Sequence, residues 1–144
     1  MVDFLESVNR VIGERRMDFS DLIGTPFKSK GRTLKALDCL GLVLEVYRRY
    51  NIILPDYQVT PELAFEAHQQ LQKEISSQLW LKLKEPETPC VIVIQQHPVF
   101  DQHLAVFIGG GKFIHARIGI GVGIDVVSNP FYAKLIKGYY RYVG

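Results

Sequence analysis

Hydrophobic and polar positions divide the chain into a helical first half and a strand-like second half. Leu5, Val8 and Ile12 recur at helical spacing, and Asp18 is placed to cap a second short helix that stops at Gly24. Thr25 to Leu37 is polar and basic with no period, and reads as loop. From Asp38 and Cys39 onward, apolar residues at 40, 43, 44, 47 and 50 form a broad helical stripe without proline, ending at Asn51. Thr60 and Pro61 suit an N-cap and first helical residue, and Leu63, Ala67, Leu71, Ile75 and Leu79 line one side of the helix that follows. Beyond the proline-rich linker from Lys84 to Pro89 the period changes to two. Strands are predicted at 90–95, 103–108, 112–117, 121–127 and 137–143, separated by Gly, Pro and Asn. Helices first and strands second predict an α+β domain.

Composition removes some function classes. With 144 residues, 47% of them hydrophobic and 22% charged, the chain has the profile of a single globular domain over 1–144 with enough length to bury a core. A net charge of +2, with Arg15-Arg16 and Arg48-Arg49 far apart and no stacking aromatics between, gives no argument for nucleic acid. No stretch is long and apolar enough for membrane insertion. Asp3, Glu6, Arg10, Glu14 and Arg15 leave no apolar core for a signal peptide, so a soluble chain made in the cytoplasm is expected. Cys39 follows an aspartate at a helix start, whereas Cys90 opens the apolar run to Ile94, and two free thiols are expected rather than a disulfide.

Cys39 is the first residue that suggests chemistry. At a helix N-terminus, unpaired backbone N–H groups and the helix dipole favour a thiolate and can face an oxyanion. Asp38 is a natural cap there, although its charge opposes the thiolate. Position alone leaves a buried structural cysteine as the alternative. Candidate bases lie in the strands: His103 begins His-Leu-Ala-Val-Phe-Ile, and His115 lies in Lys-Phe-Ile-His-Ala-Arg, with Gly109-Gly-Gly111 between them. A two-residue turn pairing 109 with 112 sends the histidines to opposite faces, whereas a three-residue loop pairing 108 with 112 makes them diagonal neighbours on one face. The turn, or a bulge beside it, is expected to place both on the face of Cys39. His103 can then take the thiol proton while His115 orients it. Histidines bonded only to backbone remain an alternative. A zinc site from Cys39, His103 and His115 is a third, although the spacing matches no usual ligand pattern, and no metal or other cofactor is expected. His68 and His97 read as bystanders and Cys90 as core. Gly119-Ile-Gly-Val-Gly123 follows a strand and opens no helix, which favours a glycine-rich turn over a nucleotide loop.

Taken in order, Leu22-Ile-Gly-Thr-Pro-Phe27, Asp38-Cys39-Leu-Gly-Leu-Val, His103-Leu-Ala-Val-Phe-Ile-Gly and Phe113-Ile-His115 resemble the NlpC/P60 family of cysteine peptidases. Ile53-Leu-Pro-Asp-Tyr57 and the closing Gly138-Tyr-Tyr-Arg-Tyr142 look most like its bacteriophage-tail and gene-transfer-particle branch. Residues 58–89 have no place on the common pattern. The resemblance implies a papain-like α+β fold, with the nucleophile helix packed on an antiparallel sheet, here of five strands. It implies Cys39 as nucleophile, His103 as base and His115 as orienting residue. It further implies hydrolysis of peptidoglycan stem peptides, commonly after γ-D-glutamate, and tail-tip proteins as partners. Asp38, Phe27 and Leu40 fall at substrate-binding positions. Phe27 stands where common members have Tyr, and Leu40 where they often have Ser. Each substitution removes a hydroxyl that could receive a free amino end, so stem peptides still attached to glycan are the expected substrate form. A structural tail protein with little activity, or an amidase or transpeptidase on the same dyad, are the competing functions.

Overall fold

The computed structural model describes residues 17–57 and 62–144. The helix expected around Leu5, Val8 and Ile12, and the cap expected at Thr60 and Pro61, lie outside these residues. The chain enters through a 3-10 turn, Ser20–Leu22, much shorter than the helix expected before Gly24. Phe19, not Asp18, takes the N-cap position, although the Asp18 carboxylate accepts the Ser20 N–H at 2.8 Å. The segment read as loop contains a small hairpin, β1 (Arg32–Thr33) and β2 (Ala36–Leu37). Then come α1 (Cys39–Arg49), α2 (Ala64–Ile75) and β3 (Trp80–Leu83). The remainder is β4 (Cys90–Ile94), β5 (His103–Gly109), β6 (Lys112–Arg117), β7 (Gly121–Val126), the short α3 (Pro130–Ala133) and β8 (Ile136–Tyr142).

The α+β arrangement is as expected, but the antiparallel sheet has six strands, in the order β3-β8-β4-β5-β6-β7. The extra strand is β3. Leu79, read as the last residue of a helical stripe, instead lies in the turn after α2 ends at Ser76. Leu63 is likewise outside that stripe, exposed before the helix begins. At the other sheet edge, Gly24 donates to the Val122 carbonyl and Val122 donates to that of Thr25, both at 2.9 Å, so the entering chain covers β7 near its start.

One face of the sheet receives α1. Leu42, Val43, Val46 and Tyr47 pack there against Val91, Val106, Ile114, Ala116 and Val122, all nearly free of solvent. Alternation sends Ala105, Phe107 and Phe113 to the opposite face, where they form a second cluster with Cys90, Ile92, Ile94 and Tyr132 from α3. The register of α1 is tilted from the expected stripe, with Leu42 and Val46 buried and Leu40 and Leu44 only half-buried. Among the described residues, no helix is long and apolar enough to cross a membrane.

Candidate active site

Asp38 fixes where α1 begins. Its backbone is extended, and its Oδ1 accepts the Gly41 N–H at 2.7 Å, satisfying one of the unpaired donors of the first turn. The same oxygen pairs with Arg32 Nη1 at 2.8 Å, and Oδ2 accepts the Lys30 N–H at 2.8 Å. The Arg32 guanidinium extends to Asp56, with Nε and Nη2 at 2.8 and 3.0 Å from its carboxylate. Asp38 is fully buried, and both its oxygens are engaged with this chain. Gly41 allows the approach of the 28–31 loop, because a Cβ there would collide with the Gly31 carbonyl.

This cap presents Cys39 at the first helical position, with the residue 5% exposed. The backbone N–H groups of Leu104, Leu40 and Cys39 stabilise the thiolate, but burial and the charge of Asp38 prevail and push the thiol pKa up to about 12. The lowering expected from the helix terminus is therefore overturned, since desolvation in this closed site exceeds what the dipole and three donors return. Cys39 and Cys90 are both free thiols, and Cys90 is core.

The histidines reach a common face by a route different from the three-residue loop. Gly109 pairs with Lys112 across a two-residue Gly110-Gly111 turn, and both turn glycines have positive φ. The register then shifts at Ile108, so that Phe107 pairs with Phe113. This bulge cancels the face reversal that the short turn imposes. His103 Nε2 lies 2.8 Å from His115 Nδ1, and His115 Nε2 lies 2.7 Å from Asp125 Oδ2. Both imidazoles are buried. Burial holds His103 well below its ordinary pKa, reinforced by the charges of His115 and Arg117. His115 is also lowered by burial, against the opposing pull of Asp125.

No hydrogen bond links Cys39 to His103 among the described residues. The thiol meets the sheet where β5 begins, beside the N–H of Leu104, one residue on from His103. Asp125 was missed by sequence reasoning. Its only signal is an isolated carboxylate in the otherwise apolar Gly121-Val-Gly-Ile-Asp-Val126, on a strand where Gly123 pairs with His115.

Beside the thiol lies a cavity of about 70 Å³, almost wholly apolar, between α1, the 54–57 segment and α2. Leu40, Val43, Leu54, Leu71 and Leu104 contribute to its wall. Phe27 does not line it and is packed against the main core. His68 and His97 serve elsewhere: His68 Nδ1 lies 3.1 Å from the Asp101 carbonyl, and His97 Nδ1 accepts the Val99 N–H at 3.1 Å. Among the described residues no group of three or more His, Cys, Asp or Glu side chains is arranged to hold a metal ion.

The chain matches the model of the NlpC/P60 family over residues 24–141. It is 26% identical over 125 residues to the murein DD-endopeptidase MepS/murein LD-carboxypeptidase of Escherichia coli (strain K12). That match covers 85% of this chain and 59% of the relative, so the chain spans less than two thirds of the relative's length. Among solved structures, an NlpC/P60 family protein from Bacillus cereus ATCC 10987 aligns with a TM-score of 0.60 at 21% identity, covering 85% of this chain and 37% of the other. The NlpC/p60 domain of the peptidoglycan hydrolase SagA aligns with a TM-score of 0.57 at 20% identity, covering 91% and 95%. NlpC2 from Trichomonas vaginalis gives 0.60 at 16% identity, covering 90% and 50%. At these identities the structural likeness concerns the fold.

Proposed function

Because the chain belongs to the NlpC/P60 family, we propose that it is a cysteine peptidase that hydrolyses amide bonds in the stem peptides of bacterial peptidoglycan. The observation that carries this reading is the hydrogen-bonded pair His103–His115 at the start of β5, where the thiol of Cys39 meets the same strand. Cys39 is the nucleophile, His103 the general base and His115 the residue that orients it. Burial favours a neutral thiol beside a neutral imidazole, so the proton leaves sulfur as attack proceeds rather than beforehand. The S–H proton passes to His103 while sulfur bonds to the carbonyl carbon. Backbone N–H groups at the head of α1 face the developing oxyanion. His103 then protonates the departing amine, and water hydrolyses the thioester to return the thiol. The gap between sulfur and imidazole closes when substrate binds, as such contacts commonly do.

The substrate form follows from what surrounds the thiol. Asp38 is fully buried behind Arg32, and the cavity beside Cys39 is almost wholly apolar. The one carboxylate in its wall, Glu74, already accepts the Trp80 Nε1–H at 2.8 Å, so a free ammonium there is poorly paired, and leaving it so is costly. Stem peptides attached to glycan, which lack that charge, are the preferred substrates. The likeness of Ile53-Leu-Pro-Asp-Tyr57 and Gly138-Tyr-Tyr-Arg-Tyr142 to phage-tail members supports local wall opening by a phage or phage-like tail, with tail-tip proteins as partners. Mass spectrometry of digested sacculi tests the reaction. New peptide termini are expected from the native protein and none from Cys39→Ala; equal release by both overturns the reading.

A further inference from the structure

We propose that Asp125 is a positioning residue that sets the tautomer of both histidines through the hydrogen-bonded chain His103, His115 and Asp125. The proposal rests on His103 being the base, as above. A carboxylate can only accept, so the His115 nitrogen 2.7 Å from Asp125 Oδ2, which is Nε2, must carry the proton. A neutral imidazole holds one proton, which leaves His115 Nδ1 bare. Facing it at 2.8 Å is His103 Nε2, which must then be the donor. His103 Nδ1 is therefore left with a lone pair, and it is the only ring nitrogen of the pair not already engaged. Without a fixed acceptor behind His115, either ring can carry its proton on the other nitrogen. With His103 protonated at Nδ1, no base remains to receive a proton from sulfur.

The surroundings of His115 limit other ways of meeting this requirement. Phe113 and Tyr132 stand edge-on to its ring, with centroids 4.9 and 5.3 Å away, so the imidazole cannot rotate to seek another acceptor. His115 is fully buried, whereas the Asp125 side chain is 25% exposed. Asp125 thus joins a sealed pair of rings to the outside of the sheet. When His103 becomes an imidazolium, the same carboxylate is the anion at the end of the chain.

Nitrogen-15 NMR of the imidazoles reports the tautomers without any substrate, so its outcome is separate from whether sacculi are cleaved. The full chain is expected to show His103 and His115 both protonated at Nε2. In Asp125→Asn, the amide N–H₂ can donate to His115 Nε2, and both rings are expected to shift to the Nδ1–H form. On peptidoglycan fragments kcat should fall about 10²- to 10⁴-fold, the scale seen when a triad loses its orienting carboxylate, with KM nearly unchanged. Asp125→Glu, which keeps an acceptor, should retain the native tautomers and recover kcat to within about tenfold. Unchanged tautomers in Asp125→Asn overturn the proposal, whether activity is kept or is lost along with thermal stability. The latter result would assign Asp125 a purely structural role.

Discussion

At the scale of single residues, the site is governed by desolvation. The sequence shows a cysteine at a helix start, and the dipole argument predicts a lowered pKa. The degree of closure is set by β5, α1 and α2 together, and no local signal carries it. The same holds for Asp125, whose role depends on a cross-strand neighbour that only the register reveals. Two consequences can be measured. His103→Ala should reduce wall hydrolysis nearly as far as Cys39→Ala, while Cys90→Ala, which truncates a thiol packed in the core with Ile92 and Phe107, leaves most activity in place. Equal losses in all three variants would point to folding rather than chemistry. The second consequence concerns acid. The unfolded chain binds histidine protons near pH 6.5, whereas the fold holds His103 well below that value and His115 below it too. The stability gained from neutral rings is complete above about 6.5 and declines as pH falls through their native values. Denaturant midpoints should drop between about pH 7 and about pH 5, and less steeply in His103→Gln. A flat wild-type profile would contradict buried neutral imidazoles.

At the scale of elements, periodicity located every long strand within a residue or two, and it failed where partners are remote or short. β3 has four residues with half-exposed ends, and its only partner is β8, with Trp80 opposite Tyr142. Nothing near it in sequence distinguishes it from the end of a helical stripe. The β5–β6 turn shows a different failure. Three glycines allow either loop length, and the choice was resolved by a bulge at Ile108 that composition does not encode. The start of α1 was legible as a capped helix, but the meaning of Gly41 was not, since the carbonyl it accommodates belongs to Gly31 in another segment. Gly41→Ala should therefore destabilise by about 1–3 kcal/mol through displaced backbone, and should lower kcat by moving Cys39. Arg32→Ala leaves Asp38 buried with its two backbone donors and no cation, at a cost of about 1–3 kcal/mol. Urea midpoints of the two variants equal to that of the native chain would show that the cap is not under this control.

At the scale of the molecule, α2 and Trp80, from the stretch with no place on the common family pattern, form a cover over the cavity at Cys39. Turnover should favour glycan-attached muropeptides over the same peptides with free amino ends, in kcat/KM. Faster cleavage of the free-amine form would show that an ammonium is received at this site after all. The cover is also attached more lightly than the rest. β3 bonds to β8 alone, and α2 meets the body mainly through Ala67, Leu71 and Ile75, with Leu71 in a small cluster of its own with Val93 and Tyr140. Regions with few buried contacts open at lower free energy than the global unfolding step. In heavy water, the amides of 64–75 and 80–83 should exchange well before those of 90–94 and 103–117. The thiol would then become accessible in brief local openings while the six-residue β6 at the centre of the histidine site remains protected.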